Sequence, residues 1–450
     1  MKNKAVIITA VLSAFLATFA TSALNLSVPD MSTYFNMGAT SVNWISTIYI
    51  MTVAAVSIPI GKIADSTSRR NVLIIGLIGY TIFAFAAVFA WNAASILVLR
   101  ALQGFFSSLI FATNTPIAIS AYPPEQKGKA IGIAISGIYT GLALGPVMGG
   151  FINTHFTFKG IFVFTSILGV IAIILAVTSV PKDRSESKPK FDAAGNILSI
   201  LMIACLIYGL TGINSVPHAW AFVIAAAAFA VLFVIAENKS AEPMIDLSLF
   251  KDRIYTFSNI TALLNYTATY ALTYVGSIYL QVVRGYPSQT AGLILIAEPI
   301  VMALLTPRMG RLSDRIAPFK LVSGGMALCG ATLLFFAFAK ETTPIPLIMV
   351  MLAIAGLGFA MFSSPNTNVI LSCVSPSKFS TANSILSTMR TIGQCMGMAI
   401  ITLVTSAKVG DMALAEADTS NVLGMMHVSF AIFTVCCIVG VFMSLSRDKK

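Results

Sequence analysis

Long apolar runs, separated by short polar segments, follow one another along almost the whole chain. A helix that crosses a lipid bilayer needs about 20 predominantly apolar residues, and the chain contains fourteen runs of about that length. These runs are residues 5–29, 42–61, 71–91, 95–121, 129–152, 160–180, 192–213, 218–236, 255–282, 288–308, 320–339, 344–372, 380–406 and 425–445. The pattern predicts fourteen membrane-spanning helices, and because fourteen is even, it places both chain termini on the same side of the membrane.

A short polar motif occurs twice between such runs. The first copy reads Gly61-Lys-Ile-Ala-Asp65 and the second reads Gly310-Arg-Leu-Ser-Asp314, so both the glycine and the aspartate recur after 249 residues. A constant offset at two positions indicates that the chain consists of two related halves. Membrane proteins built from related halves are usually transporters, because two bundles that rock against each other open a central site to either side of the membrane in turn.

Two predicted helices lie outside this repeat, between two polar segments of the chain. We predict an N-terminal six-helix bundle in residues 1–180, cytoplasmic linkers with two extra transmembrane helices in residues 181–253, and a C-terminal six-helix bundle in residues 254–450. The predicted fold class is therefore an all-α polytopic membrane protein with 14 transmembrane helices arranged 6+2+6.

The composition agrees with this fold class and excludes an ordinary soluble domain. Hydrophobic residues make up 57% of the chain and charged residues 10%, whereas about 25% of a typical soluble domain is charged. The mean hydropathy is +0.88. A chain of this composition needs lipid as its solvent.

Basic residues concentrate on one side of the predicted topology. The chain has 28 Lys and Arg and a formal net charge of +11, and a cytoplasmic N-terminus places 22 of the 28 in cytoplasmic loops and tails. Such an asymmetry follows the positive-inside rule, so we predict a multi-pass protein of the cell membrane with both termini in the cytoplasm. The basic residues are scattered over many short loops, which suits contact with membrane lipids and provides no patch for nucleic acid.

No pattern in the sequence indicates an enzyme or a cofactor site. His155, His218 and His427 have no second ligand at metal-binding spacing. The chain offers no nucleophile–base pair, and it lacks the Gly-x-x-x-x-Gly-Lys-Ser/Thr loop of nucleotide-driven pumps. We predict no catalytic residue, no metal and no cofactor.

Motifs in both halves resemble a known family. The loop from Gly61 to Arg70 and the segment from Gly141 to Gly150 resemble the loop signature and the fifth-helix antiporter pattern of the major facilitator superfamily. The segment from Tyr279 to Tyr286 is similar to the fourteen-helix drug:proton antiporters of that superfamily. The resemblance implies the major facilitator fold, efflux of a small amphipathic substrate in exchange for protons, multidrug resistance as a role, and function as a monomer.

The repeated loop has a charge pattern that suits a lock. Asp65 stands at a predicted helix end, Arg69 follows four residues later, and Arg70 adjoins it. Charge-assisted contacts of this kind can hold one arrangement of the two bundles and break when they rock; the alternative is a set of solvated basic-loop charges. The predicted gating residues are Gly61, Asp65, Arg69, Arg70, Gly310, Asp314 and Arg315.

Small residues recur on one face of the fifth predicted helix. Gly141, Gly145 and Gly149 are four residues apart, and Gly150 follows. Small residues let two helices approach closely, and Pro146 removes a backbone donor and favours a bend. We predict a hinge or seal between the halves, with ordinary close packing as the alternative.

Ionisable side chains inside apolar runs are costly and usually functional. Arg100 and Gln103 share a face of the fourth predicted helix within Arg100-Ala-Leu-Gln103-Gly104. This segment resembles the family's Arg-x-x-Gln-Gly motif, which implies a part in proton coupling. The alternative is an arginine that extends to the outer interface.

Glu298 is the acidic residue that lies well inside an apolar run. An isolated carboxyl group in a low-dielectric environment can exchange a proton as its surroundings change, so Glu298 is the predicted proton carrier. It could instead bind a cationic substrate or form a static pair with Arg100 or Arg390. Arg390 itself is expected either in the cavity or at the cytoplasmic interface.

The first predicted helix departs from the resembled family. Fourteen-helix drug antiporters generally carry an aspartate about nine residues before the proline that corresponds to Pro29, and this chain has Ala20 there. The acid nearest this helix end is Asp30, which we include among the proton-coupling residues as a possible guard of the outer entrance. The missing acid favours a neutral, zwitterionic or lipid-like substrate.

These features lead to two hypotheses for one fold. The first is a secondary active exporter of amphipathic drugs or metabolites by proton antiport; the alternative is a translocator of a lipid or lipid-like metabolite, with the extra helix pair widening a lateral opening. Polar and aromatic groups in apolar runs suit a broad binding site. The predicted cavity residues are Asn25, Tyr49, Gln103, Asn114, Tyr139, Asn265, Tyr266, Tyr270, Asn366, Asn368 and Arg390.

Overall fold

All regular secondary structure in the described part of the chain is helical. The computed structural model describes residues 2–24, 27–37, 44–183, 193–213, 218–240, 247–409 and 418–448, together with Pro243 and Ile245. The helices of its first part are α1 (Lys2–Leu24), α2 (Val28–Phe35), α3 (Trp44–Ser66), α4 (Arg69–Ala87), α5 (Ala93–Ser120), α6 (Lys127–Ser179), α7 (Ala193–Thr211) and α8 (Ala219–Lys239). Those of the second part are α9 (Arg253–Ile278), α10 (Ser288–Leu295), α11 (Ala297–Ser313), α12 (Pro318–Phe336), α13 (Ile345–Ser372), α14 (Phe379–Lys408) and α15 (Thr419–Leu445).

Helix α6 reverses direction near its middle. Its 53 residues would extend for about 80 Å if the helix were straight. Thr157 has a φ of 59° and a ψ of 175°, which is outside the helical region. Before Thr157 the chain runs alongside α1, with Gly149 against Ala23; after it the chain returns, and Ser179 hydrogen-bonds Thr9 at 2.9 Å near the start of α1.

The long apolar helices confirm the prediction of a membrane protein with many spans. Eleven helical segments among the described residues are long and apolar enough to cross a membrane, and one of them is the folded α6. Helices α9 and α14 have 26 and 30 residues. They are less apolar because they carry polar side chains such as Asn265 and Thr391 on buried faces.

The outer surface of the helices is apolar. Phe89 is 64% exposed, Ile224 69% and Leu304 64%, and these three side chains come from different parts of the chain. Soluble proteins rarely expose large apolar areas, whereas lipid tails solvate them. The surface therefore agrees with the composition.

One close helix contact occurs in both halves. A Cβ atom on Gly104 of α5 would lie 2.6 Å from the carbonyl oxygen of Tyr49 in α3, and one on Gly356 of α13 would lie 2.5 Å from that of Glu298 in α11. Only glycine permits either approach. Tyr49 and Glu298 are 249 residues apart, the offset of the loop motif, so Glu298 occupies the position in the second half that Tyr49 occupies in the first.

The α7–α8 pair lies over a junction between the two halves. Ile203 and Ile207 of α7 join a buried apolar cluster with Ile58 of α3 and Ile385 of α14, and α8 packs against α7. The pair therefore covers the junction between α3 and α14.

Candidate functional site

The first loop motif contacts the opposite half of the molecule. The Asp65 carboxylate, near the end of α3, accepts hydrogen bonds from the backbone N–H groups of Ser380 at 3.0 Å and Thr381 at 2.7 Å. These N–H groups belong to the first turn of α14, where they have no partner within the helix. A helix N-terminus carries partial positive charge, so the carboxylate both satisfies the N–H groups and complements their charge.

Arg69 joins the same contact. Its guanidinium makes a 2.7 Å ion pair with Asp65, as the spacing of the two residues suggests. The same group donates across the halves to the Ser380 hydroxyl at 3.0 Å and to the Pro376 carbonyl at 2.5 Å. Arg70 instead donates to the carbonyl of Val180 at 2.9 Å, within the N-terminal half. The two adjacent arginines therefore differ, because only Arg69 reaches across to the other half.

The second loop motif makes the reciprocal contact. Asp314, which follows α11, accepts from the backbone N–H groups of Gly128 at 2.6 Å and Lys129 at 3.0 Å, at the start of α6. A Cβ atom on Gly128 would clash with the Gly310 carbonyl and with Asp314. Arg315 is exposed. Each half thus offers an aspartate to a helix start of the other half, and we call this end of the molecule the loop-motif face.

A cluster of polar and aromatic side chains lies deeper between the halves. The Tyr139 hydroxyl of α6 hydrogen-bonds the Ser363 hydroxyl of α13 at 2.7 Å, and the Tyr266 hydroxyl lies 3.5 Å from the same atom. The Arg390 guanidinium of α14 stands 4.9 Å above the Tyr266 ring. These four residues, the central cluster, bring together three predicted cavity residues and add Ser363.

Arg100 is enclosed within the N-terminal half. Its side chain is fully buried, with Nε donating to the Ile45 carbonyl at 3.1 Å and Nη1 to the Gln103 side chain at 2.5 Å. The guanidinium lies 4.3 Å from the centre of the Tyr49 ring. Its partners therefore hold Arg100 between α3 and α5.

Glu298 is buried within the C-terminal half. It is 5% exposed, and its side-chain neighbours are Thr273 of α9 and Cys329 of α12. The ion pair found among the described residues is Asp65–Arg69. The expected alternative of a static pair between Glu298 and Arg100 or Arg390 is therefore wrong for this arrangement.

The glycine face of α6 packs against α1. A Cβ atom on Gly145 would lie 2.5 Å from the Ser22 Cβ atom, and one on Gly149 would lie 2.6 Å from the Ala23 Cβ atom. These contacts lie within the N-terminal half, and they allow α1 and α6 to touch along much of their length. Their part in a hinge or seal stays a prediction.

The remaining predicted residues lie apart from the central cluster. Asp30 is exposed and accepts from the Asn153 side chain at 2.5 Å. Asn366 donates to the Ser258 carbonyl at 3.1 Å, and Asn368 donates to the Ser313 hydroxyl at 3.2 Å. Asn114 and Asn265 are buried, while Asn25 and the side chain of Tyr270 lie outside the described residues.

Sequence reasoning missed the helix starts that receive the two aspartates. Gly128-Lys129 and Ser380-Thr381 are 252 residues apart, as are Gly141 and Gly393. This second offset aligns α6 with α14 and would have revealed them as partners of the repeated motif. Asn383, which donates to the Phe111 carbonyl at 2.8 Å across the halves, carries no such signal.

The repeated glycine contact leads to a stability prediction. Replacing Gly104 with alanine places a methyl group against the Tyr49 carbonyl, and overpacking of this kind costs about 1–3 kcal/mol. The same substitution at Gly424 of α15, where no atom lies within 4 Å of a Cβ position, gains up to about 1 kcal/mol of helix propensity. We expect Gly104→Ala to lower the apparent unfolding temperature in detergent by several degrees, and Gly424→Ala to leave it unchanged or raise it. Equal unfolding temperatures for the two variants would show that the Gly104 contact can relax.

Comparisons with known proteins agree with this arrangement of helices. A model of the Major Facilitator Superfamily matches residues 10–398 and 258–450. The riboflavin transporter RibZ of Clostridioides difficile is 28% identical over 453 residues, covering 100% of this chain and 99% of the relative. The multidrug resistance protein Stp of Mycobacterium tuberculosis is 27% identical over 393 residues, covering 85% of this chain and 72% of that protein.

A solved structure has a similar fold. The crystal structure of the human organic anion transporter MFSD10 (TETRAN) superimposes with a TM-score of 0.69, covering 98% of this chain and 99% of that one. The sequence identity is 13%, so this likeness concerns the fold alone.

Proposed function

Because the chain belongs to the Major Facilitator Superfamily, whose multidrug resistance proteins are among its relatives, we propose that it is a secondary active exporter of amphipathic drugs or metabolites. The export is driven by proton antiport with alternating access. The observation that carries the proposal is the reciprocal contact of Asp65 and Asp314 with helix starts of the opposite half. Alternating access requires contacts of this kind, which close one end of the molecule and can break as the bundles rock.

The proposed arrangement has fourteen spans in the order 6+2+6. The folded α6 contributes two spans, and the polar helices α9 and α14 each contribute one, because their lengths suffice to cross about 30 Å of hydrocarbon. The loop-motif face is the cytoplasmic side, since the basic residues concentrate there. Both termini are then cytoplasmic, and the protein works as a monomer in the cell membrane.

The described arrangement is the one closed toward the cytoplasm. The cross-half hydrogen bonds extend from the loop-motif face to the Tyr139–Ser363 pair, so in this proposal a substrate that enters from the opposite side stops at the central cluster. Substrate leaves and a proton enters from outside in this state. Protonation of Glu298 replaces a buried charge with a neutral group, which favours release of the contacts at the loop-motif face and opening to the cytoplasm.

Arg100 and Asp30 have supporting parts in this proposal. Arg100 stabilises the polar interior of the N-terminal half through Gln103 and through Tyr49, the residue whose position in the repeat Glu298 has in the C-terminal half. Asp30 lies exposed at the outer end, where it raises the local concentration of protons and cations near the entrance.

The alternative function, translocation of a lipid or lipid-like metabolite, has less support. Ala20 in place of the usual acid favours it, but the α7–α8 pair covers the junction between α3 and α14, through which a lipid would enter sideways. We therefore keep the exporter as the proposed function.

The test is proton movement in proteoliposomes that contain the purified protein. With an imposed pH difference, we expect addition of a transported compound to increase the decay of the proton gradient, as read by an internal pH-sensitive dye. The panel contains cationic, neutral, anionic and lipid-like compounds, and liposomes without protein are the control. Transport of a compound without any proton movement would contradict antiport, and movement of the lipid-like compounds alone would favour the alternative.

A further inference from the structure

Arg390 supplies the guanidinium of the central cluster. Arg390 is the twelfth residue of α14, about 16 Å along the helix from its start. This places Arg390 about three helical turns from the loop-motif face.

No carboxylate in the described part of the chain neutralises this charge. The ion pair found there is Asp65–Arg69, and the polar neighbours of Arg390 are the hydroxyl groups of Tyr266 and Tyr139. The Nε atom is buried without a hydrogen-bond partner in the described structure. Arg390 is half-buried, and a cation that is largely removed from water and keeps an unused donor is costly unless another group supplies an anion.

The surroundings of Arg390 are aromatic and held in place by close packing. The guanidinium stacks on Tyr266, and the ring of Phe359 meets Tyr266 edge to face at 5.3 Å and Tyr139 at 5.6 Å. One helical turn beyond Arg390, a Cβ atom on Gly393 would lie 2.6 Å from the Leu263 carbonyl. Helix α14 is therefore pressed against α9, which holds the guanidinium above the ring, with Nε as its unused donor.

We infer that the central cluster recognises aromatic anions, with Arg390 as the residue that determines the charge of the substrate. A flat ring system packs against Tyr266, Phe359 and Tyr139, and a carboxylate or sulfonate accepts from the guanidinium edge. Guanidinium groups suit this task because their donors form a rigid planar fork that matches an oxyanion. The inference deepens the proposed function, since it names the charge and shape of the exported compounds.

The test uses three probes that share one ring system and differ in charge. Anthracene-9-carboxylate, anthracene-9-carboxamide and anthracen-9-ylmethylammonium are titrated, by probe fluorescence, onto the purified protein in nanodiscs, with empty nanodiscs subtracted. We expect the carboxylate to bind about tenfold more tightly than the amide and the ammonium to bind weakest. In Arg390→Gln, we expect the carboxylate to lose about that factor while the amide keeps its affinity.

Two further variants separate recognition from folding. Arg390→Lys keeps the charge without the planar fork, so we expect it to retain a reduced preference for the carboxylate. Arg308→Gln removes the same charge from an exposed position of α11 and should bind like the native protein. Equal affinities for the three probes, tightest binding of the ammonium, or an unchanged preference in Arg390→Gln would overturn the inference, as would a native protein that binds none of them.

The binding measurement is independent of proton coupling. A protein that prefers the carboxylate but moves no protons would refute antiport and leave the inference intact. Proton-coupled export of cations with no preference for the carboxylate would refute the inference and leave the proposed function intact.

Discussion

Replacing Glu298 with glutamine will abolish substrate-dependent proton movement. Glutamine has the size of glutamate and cannot release a proton, and Glu298 is the acidic residue well inside an apolar run. Groups positioned for proton transfer contribute roughly 100-fold or more to the rates they serve, so we expect the proton flux in proteoliposomes to fall by at least about that factor. The burial of Glu298 beside Thr273 and Cys329, away from either arginine, is the reason that we expect so large an effect.

Two comparisons make this prediction specific. Glu341→Gln removes a carboxylate from an exposed position and should move protons at the native rate. If Glu298 carries protons, substrate binding to Glu298→Gln will persist while coupling is lost; if it anchors a cationic substrate, binding of cations will be lost as well. Native proton movement in Glu298→Gln would refute the assignment.

Removing both lock aspartates is expected to open the loop-motif face. Asp65 and Asp314 each accept backbone N–H groups of the opposite half, and hydrogen bonds to charged groups contribute about 1.5–3 kcal/mol each. An amide keeps an acceptor oxygen but loses the charge. For the double variant Asp65→Asn/Asp314→Asn we expect the closed arrangement to be destabilised by about 3 kcal/mol relative to the open one. The ratio of closed to open molecules then falls about 100-fold.

The opening is measured as a distance between spin labels. Exposed Glu125 and Ser377, from the two halves, are replaced by labelled cysteines in a chain without its six native cysteines. We expect a longer distance population to dominate in the double variant, with an intermediate effect of Asp65→Asn alone.

Asp183 offers the matched control for the lock. It accepts the backbone N–H groups of Arg69 at 2.7 Å and Arg70 at 3.2 Å, at the start of α4, so it makes the same kind of bond within one half. Asp183→Asn should leave the distance between the labels unchanged. A closed arrangement that persists in the double variant would mean that packing between the halves, and not the two aspartates, holds this face shut.

Much of the fold follows from local pattern in the sequence. The apolar runs predict the positions of the helices, because a membrane span needs about 20 apolar residues in one continuous segment. The 249-residue offset predicts the repeat, and the spacing of Asp65 and Arg69 predicts their ion pair because four residues make one helical turn. The runs and the ion pair depend on neighbours in sequence, and the repeat is found by comparing the sequence with itself, so the sequence alone suffices to find all three.

Other features depend on contacts between distant segments. The lock partners of Asp65 lie 315 and 316 residues away, at a helix start that the 252-residue offset marks but that only folding brings to Asp65. Nothing in the sequence around Ser363 indicates its contact with Tyr139, which forms only in the folded chain. The apolar pattern of the sequence determined which segments cross the membrane. The packing of α6, α9, α13 and α14 decided which charged side chains have a partner, and it left Arg390 facing aromatic rings. The physical reason is that contacts between side chains depend on how the helices approach one another and not on their order in the chain.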